Sequence, residues 1–423
     1  MSVGLGSKFW RLFTASAVTN LGDGIGRICF PLLAVTLTRE PILIAGVSAA
    51  FFLPWLLFAL ASGVLVDRVD RRRAMVVANL ARAVLIGGFG LAVLAGTAGI
   101  WLMYAVAFAL GVAETVADSA ANAMLPAVVR RDQLESGNGR LQAAEVVGNA
   151  FLGAPVGSAL FVVAAAAPFL LNSAGFAIAA LVLAGMTGRY RPARVAGPRP
   201  TVWRDVRDGV GWIARHRMLR PLLLLTATLA MSNEMAQALL VLFAVQDLHL
   251  SPAAIGLFVL AAGIGGTLGG VVAPALARRL SRTVLLAGGT AACSLCYFGI
   301  GALAHPVLSA VLYGLYGTFV IVGNVVLMSL RQALIPEELF GRVQGAWRTV
   351  VWGALPVGGL LGGVLAGVVG LRGLFLLSAS IQLAVAVTTF VVLRRATPND
   401  VDSESNTCST EPREVGTAAP GRG

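Results

Sequence analysis

Long apolar runs alternate along this chain with short turns rich in arginine. The runs fall at 12–36, 42–66, 74–95, 100–124, 141–164 and 168–188, and again at 221–245, 252–277, 284–303, 307–331, 343–368 and 374–393. Each approaches the roughly 20 residues that a helix needs to cross a hydrocarbon core of about 30 Å. A backbone in lipid must pair its own N–H and C=O groups, so each run is predicted to be a transmembrane helix. The pattern predicts an all-α membrane protein with twelve transmembrane helices, six in each half.

Composition agrees. Hydrophobic residues make up 57% of the 423 and charged residues only 12%, with a mean hydropathy of +0.83, which leaves too little polar surface for a soluble globule. A net charge of +12 would suggest nucleic acid as partner in a soluble chain. Here the arginines cluster in loops, so their position carries the meaning. Lys8 and Arg11, the group from Arg68 to Arg73, Arg130, Arg131 and Arg140, the nine arginines from Arg189 to Arg220, Arg278, Arg279 and Arg282, Arg331 and Arg342, and Arg394 and Arg395 all fall on one side. The other side holds only Arg39 and Arg372. Positive loops resist translocation, so both termini and the 189–220 linker are predicted to be cytoplasmic.

The halves repeat each other weakly. A shift of 211 brings Asp23 onto Glu234, Pro41 onto Pro252, Ile44 onto Ile255, Leu65 onto Leu276 and Arg68 onto Arg279. Further along, Pro126 meets Pro336 at a shift of 210, and Gly153 and Gly157 meet Gly359 and Gly363 at 206. The expected organisation is therefore a six-helix bundle over 1–188, a basic linker over 189–220, a second, pseudo-symmetric bundle over 221–395 and a disordered cytoplasmic tail over 396–423. In the linker, Trp203, Val206, Val210 and Ile213 stand at helical spacing among arginines and predict a short amphipathic helix on the inner leaflet.

The loop between the second and third runs reads GVLVDRVDRRR, from Gly63 to Arg73. It resembles the G-x-L-x-D-R-x-x-R-R signature of the major facilitator superfamily, matched here by Gly63, Leu65, Asp67, Arg68, Arg71 and Arg72. The flanking text, FWRLFTASAVTNLGDGIGRICFPLLAV with Pro54 and then NLARA, is similar to the exporter branch that includes enterobactin exporters and macrolide efflux pumps. The resemblance covers about 8–395. Asp70 stands where the commonest superfamily form has glycine. In the fifth run GNAFLGAPVGSAL approximates the antiporter pattern G-x-x-x-G-P-x-x-G-G, with Ala154 interposed between Gly153 and Pro155. Gly153, Pro155 and Gly157, with Gly359 and Gly363, also suit close helix packing, as small residues do in lipid.

The loop motif is expected to form a gate, because an acidic residue inside a positive loop contributes nothing to orientation. Asp67, Arg68, Arg71 and Arg72 would then make contacts between bundles or at helix ends in only one conformational state. Ionisable residues inside helices need a reason, since a charge in lipid costs at least ~2.5 to 3.5 kcal/mol. Asp23 and Glu234 lie twelve and fourteen residues past Arg11 and Arg220, roughly 18 to 21 Å from the cytoplasmic edge at about 1.5 Å per residue. The resemblance implies that helices 1, 4, 7 and 10 line a central cavity, which would place Asp23, Glu114, Asp118 and Glu234 on the substrate path. Arg27, four residues beyond Asp23, could neutralise it. Glu234 has no cation within a turn and is a candidate for reversible protonation, which coupling to a proton gradient requires. Arg82, roughly 12 Å deep, is expected to join Asp118 and Glu145 in a structural or gating charge network.

Enzyme chemistry finds no support. The single lysine, Lys8, lacks a glycine-rich phosphate loop, which excludes nucleotide-driven pumping. His216, His249 and His305 form no metal-ligand cluster. Cys293 and Cys296 lie in an apolar helix, where packing is the simplest role. No cleavable leader is evident, and no cofactor is expected. The reading is a monomeric, proton-coupled exporter of a small amphipathic compound (a drug, a macrolide-like natural product or a siderophore) in the bacterial cytoplasmic membrane. Its partners would be substrate, protons and bilayer, with no nucleic acid and no nucleotide. A proton-coupled importer of the same fold is the alternative, and a receptor or scaffold without transport a distant third.

Overall fold

In the computed structural model, residues 5–66, 68–130, 133–188, 190–191 and 202–395 are described. Every apolar run in them is helical. The first half holds α1 (Gly6–Leu37), α2 (Pro41–Val66), α3 (Arg71–Leu94), α4 (Ile100–Val128), α5 (Leu134–Glu145), a π-helical segment (Val146–Gly153), α6 (Ala154–Val163) and α7 (Ala167–Ala184). Then follow α8 (Val202–Arg215), α9 (Leu219–Gln237), α10 (Leu240–Gln246), α11 (Pro252–Arg279), a second π-helical segment (Val284–Gly288), α12 (Gly289–Leu303), α13 (Pro306–Leu334) and α14 (Glu337–Arg395). Ends are set locally: the Ser251 side chain accepts from the Ala254 N–H at 3.4 Å with Pro252 in the first turn, a prolyl start capped by a hydroxyl.

Ten stretches are long and apolar enough to cross a membrane among the described residues. One of them, Leu339–Arg395, is two helices, broken at Gly370 (φ 74°, ψ 170°), a left-handed backbone that only glycine adopts without strain. α1 is 32 residues long and falls outside the ten, its hydropathy lowered by Asn20, Asp23 and Arg27. Counting both gives twelve membrane-length segments. The fifth contains the π-helical turn Val146–Gly153 directly before Ala154. A wider turn takes up one extra residue, which accounts for the alanine interposed ahead of Pro155. The seventh is interrupted at Ala238 and Leu239, between α9 and α10, with no proline or glycine to announce it.

Within the first half, α1 packs on α7 and the π-helical segment, α2 on α4, and α3 on α4 and α7. Within the second, α9 packs on α14, α11 on α13, and α12 on α13 and α14. The halves meet where α2 lies on α14, α6 on α11 and α1 on α10. Small residues set these distances, because lipid supplies no hydrophobic drive and van der Waals contact requires close backbones. In α14, Gly358 and Gly362 face Met231 and Met235 of α9, whereas Gly359 and Gly363 face Ala45 and Ile42 of α2. A Cβ on Gly363 would lie 2.7 Å from the Ile42 Cα. Gly256 of α11 receives Ser158 and Ala154 of α6 in the same way, and Gly153 meets Gly24 of α1. Gly157 sits against Ile28 and Cys29 of α1, and Pro155 lies in the first turn of α6. The contacts at Ile42, Ala45, Gly256 and α10 lie near the helix ends away from the basic loops.

α8 differs from the expected surface helix. Gly209 approaches the Arg342 carbonyl, and Ile213 is buried in a core with Leu219, Val343 and Ala346. This face packs on protein rather than on a leaflet, while Val210 is exposed. The side chains of Trp203 and Val206, and the 396–423 tail, lie outside what is described.

Candidate functional site

A cavity of about 1080 Å³ opens between the halves. Its walls reach from Gln142, Ala143 and Gly270, toward the basic-loop ends, to Leu240 and Val241 at the opposite side. Most of the lining is apolar, with Ile44, Phe51, Ile86, Leu110 and Val320 among it, and a few polar groups converge on it. This is the composition of sites that take drug-sized ligands.

On the first-half wall, Asp23 of α1 makes an ion pair with Arg82 of α3. The Arg82 guanidinium also lies 4.0 Å from the Phe176 ring centroid on α7, so one cation joins three helices. Asp23 makes its ion pair with Arg82 rather than with Arg27. Arg82 and Glu145 both act electrostatically on Asp118, but neither makes an ion pair with the other or a hydrogen bond to Asp118 among the described residues. The helical turn that puts Arg27 on the same face as Asp23 turns its long side chain into the cavity, where it is exposed and makes no ion pair among the described residues. Glu145 instead accepts from Gln142 Nε2 at 3.3 Å and is exposed. Beside the pair, Asn172 Nδ2 donates to the Gly22 carbonyl at 2.8 Å and Asn149 Nδ2 to Asn20 Oδ1 at 3.1 Å.

Glu114 and Asp118 are not among the residues that line the cavity, though both interact electrostatically with the Asp23–Arg82 pair on its wall. Glu114 is buried between helices, its Oε2 without a hydrogen-bond partner among the described residues. Asp118, one turn further along α4, is exposed. Helical periodicity places both on one face but does not say which neighbour that face meets.

The second-half wall carries Glu234 of α9, buried to 8% exposure. Ser48 of α2 donates to its Oε1 at 2.5 Å, a hydrogen bond between the two halves. On either side of Glu234 stand Asn233 and Gln237. Asn233 Oδ1 accepts from Tyr297 at 2.8 Å and from Tyr316 at 2.5 Å, and Gln237 Nε2 lies 2.9 Å from the Tyr313 hydroxyl. The rings form a ladder: Phe258 on Tyr313 at 5.0 Å, Tyr313 on Tyr316 at 6.3 Å and Tyr316 on Tyr297 at 4.3 Å, all within 11° of parallel. The aromatic lining of the cavity is Phe30, Phe51, Phe52, Phe151, Phe176, Tyr313 and Tyr316. Trp101 is 72% exposed on the outer surface and Phe243 is wholly buried in the core.

The loop motif lies at the ends of first-half helices. Asp67 is outside the described residues. Gly63 has open space around it, and Arg68 is exposed. Arg71 donates to the Ala123 carbonyl of α4 at 2.8 Å, and Arg72 donates to the Met186 carbonyl just beyond α7. Asp70 is the N-cap of α3: its Oδ1 accepts from the Arg73 N–H at 3.1 Å and its Oδ2 from the Tyr190 N–H at 2.9 Å. Burial alone would raise its pKa, but the Tyr190 and Arg73 N–H groups and the guanidinium groups of Arg72 and Arg73 hold the carboxyl below its usual range. An aspartate directly before Arg71-Arg72-Arg73 and an apolar run is a legible helix-start signal. Ser48 and Asn233 carry no such signal. Nor does Arg348 of α14, whose guanidinium lies over Trp55 of α2 at 4.8 Å and Trp352 at 4.7 Å.

A largely apolar cavity enclosed by two sets of membrane-length helices, with polar groups from both, defines a membrane transporter rather than an enzyme. The family model for the Major Facilitator Superfamily matches residues 12–355, and the chain belongs to that superfamily. An uncharacterized transporter of this type from Mycobacterium tuberculosis is 30% identical over 338 residues, covering 71% of this chain and 72% of that protein. The multidrug efflux pump Tap of the same organism is 27% identical over 410 residues, covering 94% and 95%. Macrolide efflux protein A of Streptococcus pyogenes is 23% identical over 384 residues, covering 90% and 94%. Among solved structures, the nucleoside transporter NupG superposes with a TM-score of 0.73 at 13% identity, covering 92% of this chain and 99% of that one, a likeness of fold. The protein is thus a multi-pass membrane transporter, with relatives named for efflux.

Proposed function

We propose that this transporter is a proton-coupled exporter of small amphipathic compounds, working by alternating access as a monomer in the bacterial cytoplasmic membrane with both termini inside. The observation that carries the reading is Glu234: among the described residues it is the cavity carboxylate without an ion pair, and its partner Ser48 belongs to the other half. Asp23 is held by Arg82 and is a structural member of the wall.

The arrangement is inward-facing in this reading, since α2, α6 and α1 close on α14, α11 and α10 at the ends away from the basic loops. Opening the outer side separates α2 from α14, and with it Ser48 from Glu234. The carboxylate then exchanges a hydroxyl donor for a proton, so protonation and the opening of one side are linked through the same oxygen. Residues 1–188 and 221–395 act as the two moving units, joined by the 189–220 linker. Arg71 and Arg72, bonded to helix-end carbonyls, fix the inner end of the first unit while it moves. Relatives named as multidrug and macrolide efflux proteins support export of a ring-bearing or amphipathic compound.

Glu234→Gln is expected to abolish pH-gradient-driven transport in inside-out vesicles while leaving the protein folded in the membrane. Ser48→Ala, which removes one hydrogen bond to a carboxylate, is expected to slow it on the order of tenfold. Gradient-driven accumulation by Glu234→Gln at the wild-type rate overturns the coupling role. Inward movement of solute against its gradient, with no outward movement of any tested compound, overturns export.

A further inference from the structure

A second concave site lies away from the cavity, at the basic-loop end of the first half. A groove of about 440 Å³ opens between α1 and α7, lined by Trp10, Arg11, Thr14, Leu181, Val182 and Gly185. It sits where α1 begins and α7 ends, at the depth of the membrane interface. Part of it is apolar and faces outward, with Trp10 46% and Leu181 71% exposed. Phe9 and Phe13 meet the Trp10 ring edge-on at 5.6 and 5.3 Å and fix its plane. Cations surround this apolar surface. Lys8 and Arg11, three residues apart, share one face of α1, and Arg140 of α5 holds its guanidinium 5.3 Å from the Trp10 ring centroid. All three are exposed, and none makes an ion pair among the described residues. Arg11 donates to the Gly185 carbonyl, which aims its fork and leaves further N–H donors of its five. α7 has no acidic residue, and α1 has none before Asp23. On α5, Glu135 and Glu145 each stand five residues from Arg140, a spacing that puts them on other faces of that helix.

We propose that this groove binds an anionic phospholipid, its phosphodiester against Lys8, Arg11 and Arg140 and its glycerol and upper acyl chain along Trp10, Leu181 and Val182. A phosphate alone would leave Trp10 and Leu181 uncovered, and an apolar chain alone would leave three cations unmet. A zwitterionic headgroup brings a further cation among three, so a lipid of net negative charge is selected. Tryptophan suits the join between the two parts, since its amphipathic ring rests at headgroup level. One bound lipid bridges α1, α5 and α7, and α1 and α7 also carry Asp23 and Phe176 of the cavity wall. The proposal does not depend on the direction of transport.

The full chain in detergent is titrated with phosphatidylglycerol and with phosphatidylcholine of the same acyl chains, and bound lipid is counted by native mass spectrometry. Phosphatidylglycerol is expected to bind more tightly. A basic residue beside an anionic headgroup contributes about fivefold in affinity. Lys8→Gln/Arg140→Gln should therefore weaken phosphatidylglycerol roughly 30-fold and leave phosphatidylcholine unchanged. Arg278→Gln/Arg279→Gln, at the basic-loop end of α11, should change neither. An equal loss in that variant marks a general basic surface and overturns the site, as does equal binding of the two lipids by the unaltered chain. Glycerol 1-phosphate that displaces the lipid at equal concentration shows a phosphate site without lipid selectivity and overturns the lipid reading. Location is read with phosphatidylglycerol brominated in the upper acyl chain, which quenches indole fluorescence on contact, at one lipid per protein. The quenching should fall in Trp10→Phe and persist in Trp101→Phe, at the opposite side of the membrane. Quenching that Trp10→Phe leaves unchanged puts the lipid elsewhere and overturns the proposal.

Discussion

Removing Arg82 tests whether one buried cation holds the first-half wall together. Its side chain is 5% exposed and that of Asp23 is 14% exposed, so Arg82→Gln leaves a carboxylate facing an apolar cavity without its partner. Breaking a buried pair from one side costs about 3–5 kcal/mol, and loss of the guanidinium over Phe176 adds about 0.5–2 kcal/mol. The expected result is a fall in thermal midpoint on the order of 5 to 15 °C for the purified protein in detergent. The partner variant decides the cause. Asp23→Asn/Arg82→Gln removes both charges, and if the penalty is the stranded carboxylate, the double variant recovers most of the loss, with a coupling energy of at least ~2 kcal/mol in the cycle. Melting followed by size-exclusion fluorescence measures all four proteins under one condition. A double variant as unstable as Arg82→Gln alone, or a single variant within a degree of the wild type, refutes the claim that this pair ties α1 to α3 across α7.

The remaining predictions concern the loop and the seam. Asp70 has its pKa held below the ordinary value of 3.8, so its contribution is present above that pH and is lost as pH falls through the lower folded value. Asp70→Asn should therefore destabilise by about 1–2 kcal/mol at neutral pH, with the difference from wild type shrinking below about pH 4; a difference independent of pH contradicts the cap. Gly363→Leu places a side chain where a Cβ already meets the Ile42 Cα at 2.7 Å, and is expected to prise α2 from α14. Cysteine labels on the cavity should then become accessible from the side away from the basic loops, with transport lost; unchanged labelling argues that the seam yields.

The apolar runs were enough to specify helices, because lipid leaves a backbone no other way to pair its polar groups. The loop motif that marks the superfamily and the two carboxylates Asp23 and Glu234, which the fold brings to the cavity, could be read from the linear pattern, since each stands out among residues near in sequence. Partners could not. Asp23 had a cation four residues away and took one from another helix, because the rotation of α1 against α3 and α7 is set by Gly22 under Asn172 and Gly24 against Gly148 and Asn149. Glu114 and Asp118 fell off the wall for the same reason: helical period fixes which residues share a face, and packing alone fixes what that face meets. Ser48 and Asn233 had no signal at all, as a serine and an asparagine in apolar helices acquire meaning only when Glu234 and two tyrosines from distant segments arrive beside them. Local chemistry wrote the helices and their ends, and the contacts between helices, which depend on rotations of a few tens of degrees that no short stretch encodes, decided which polar groups became a site.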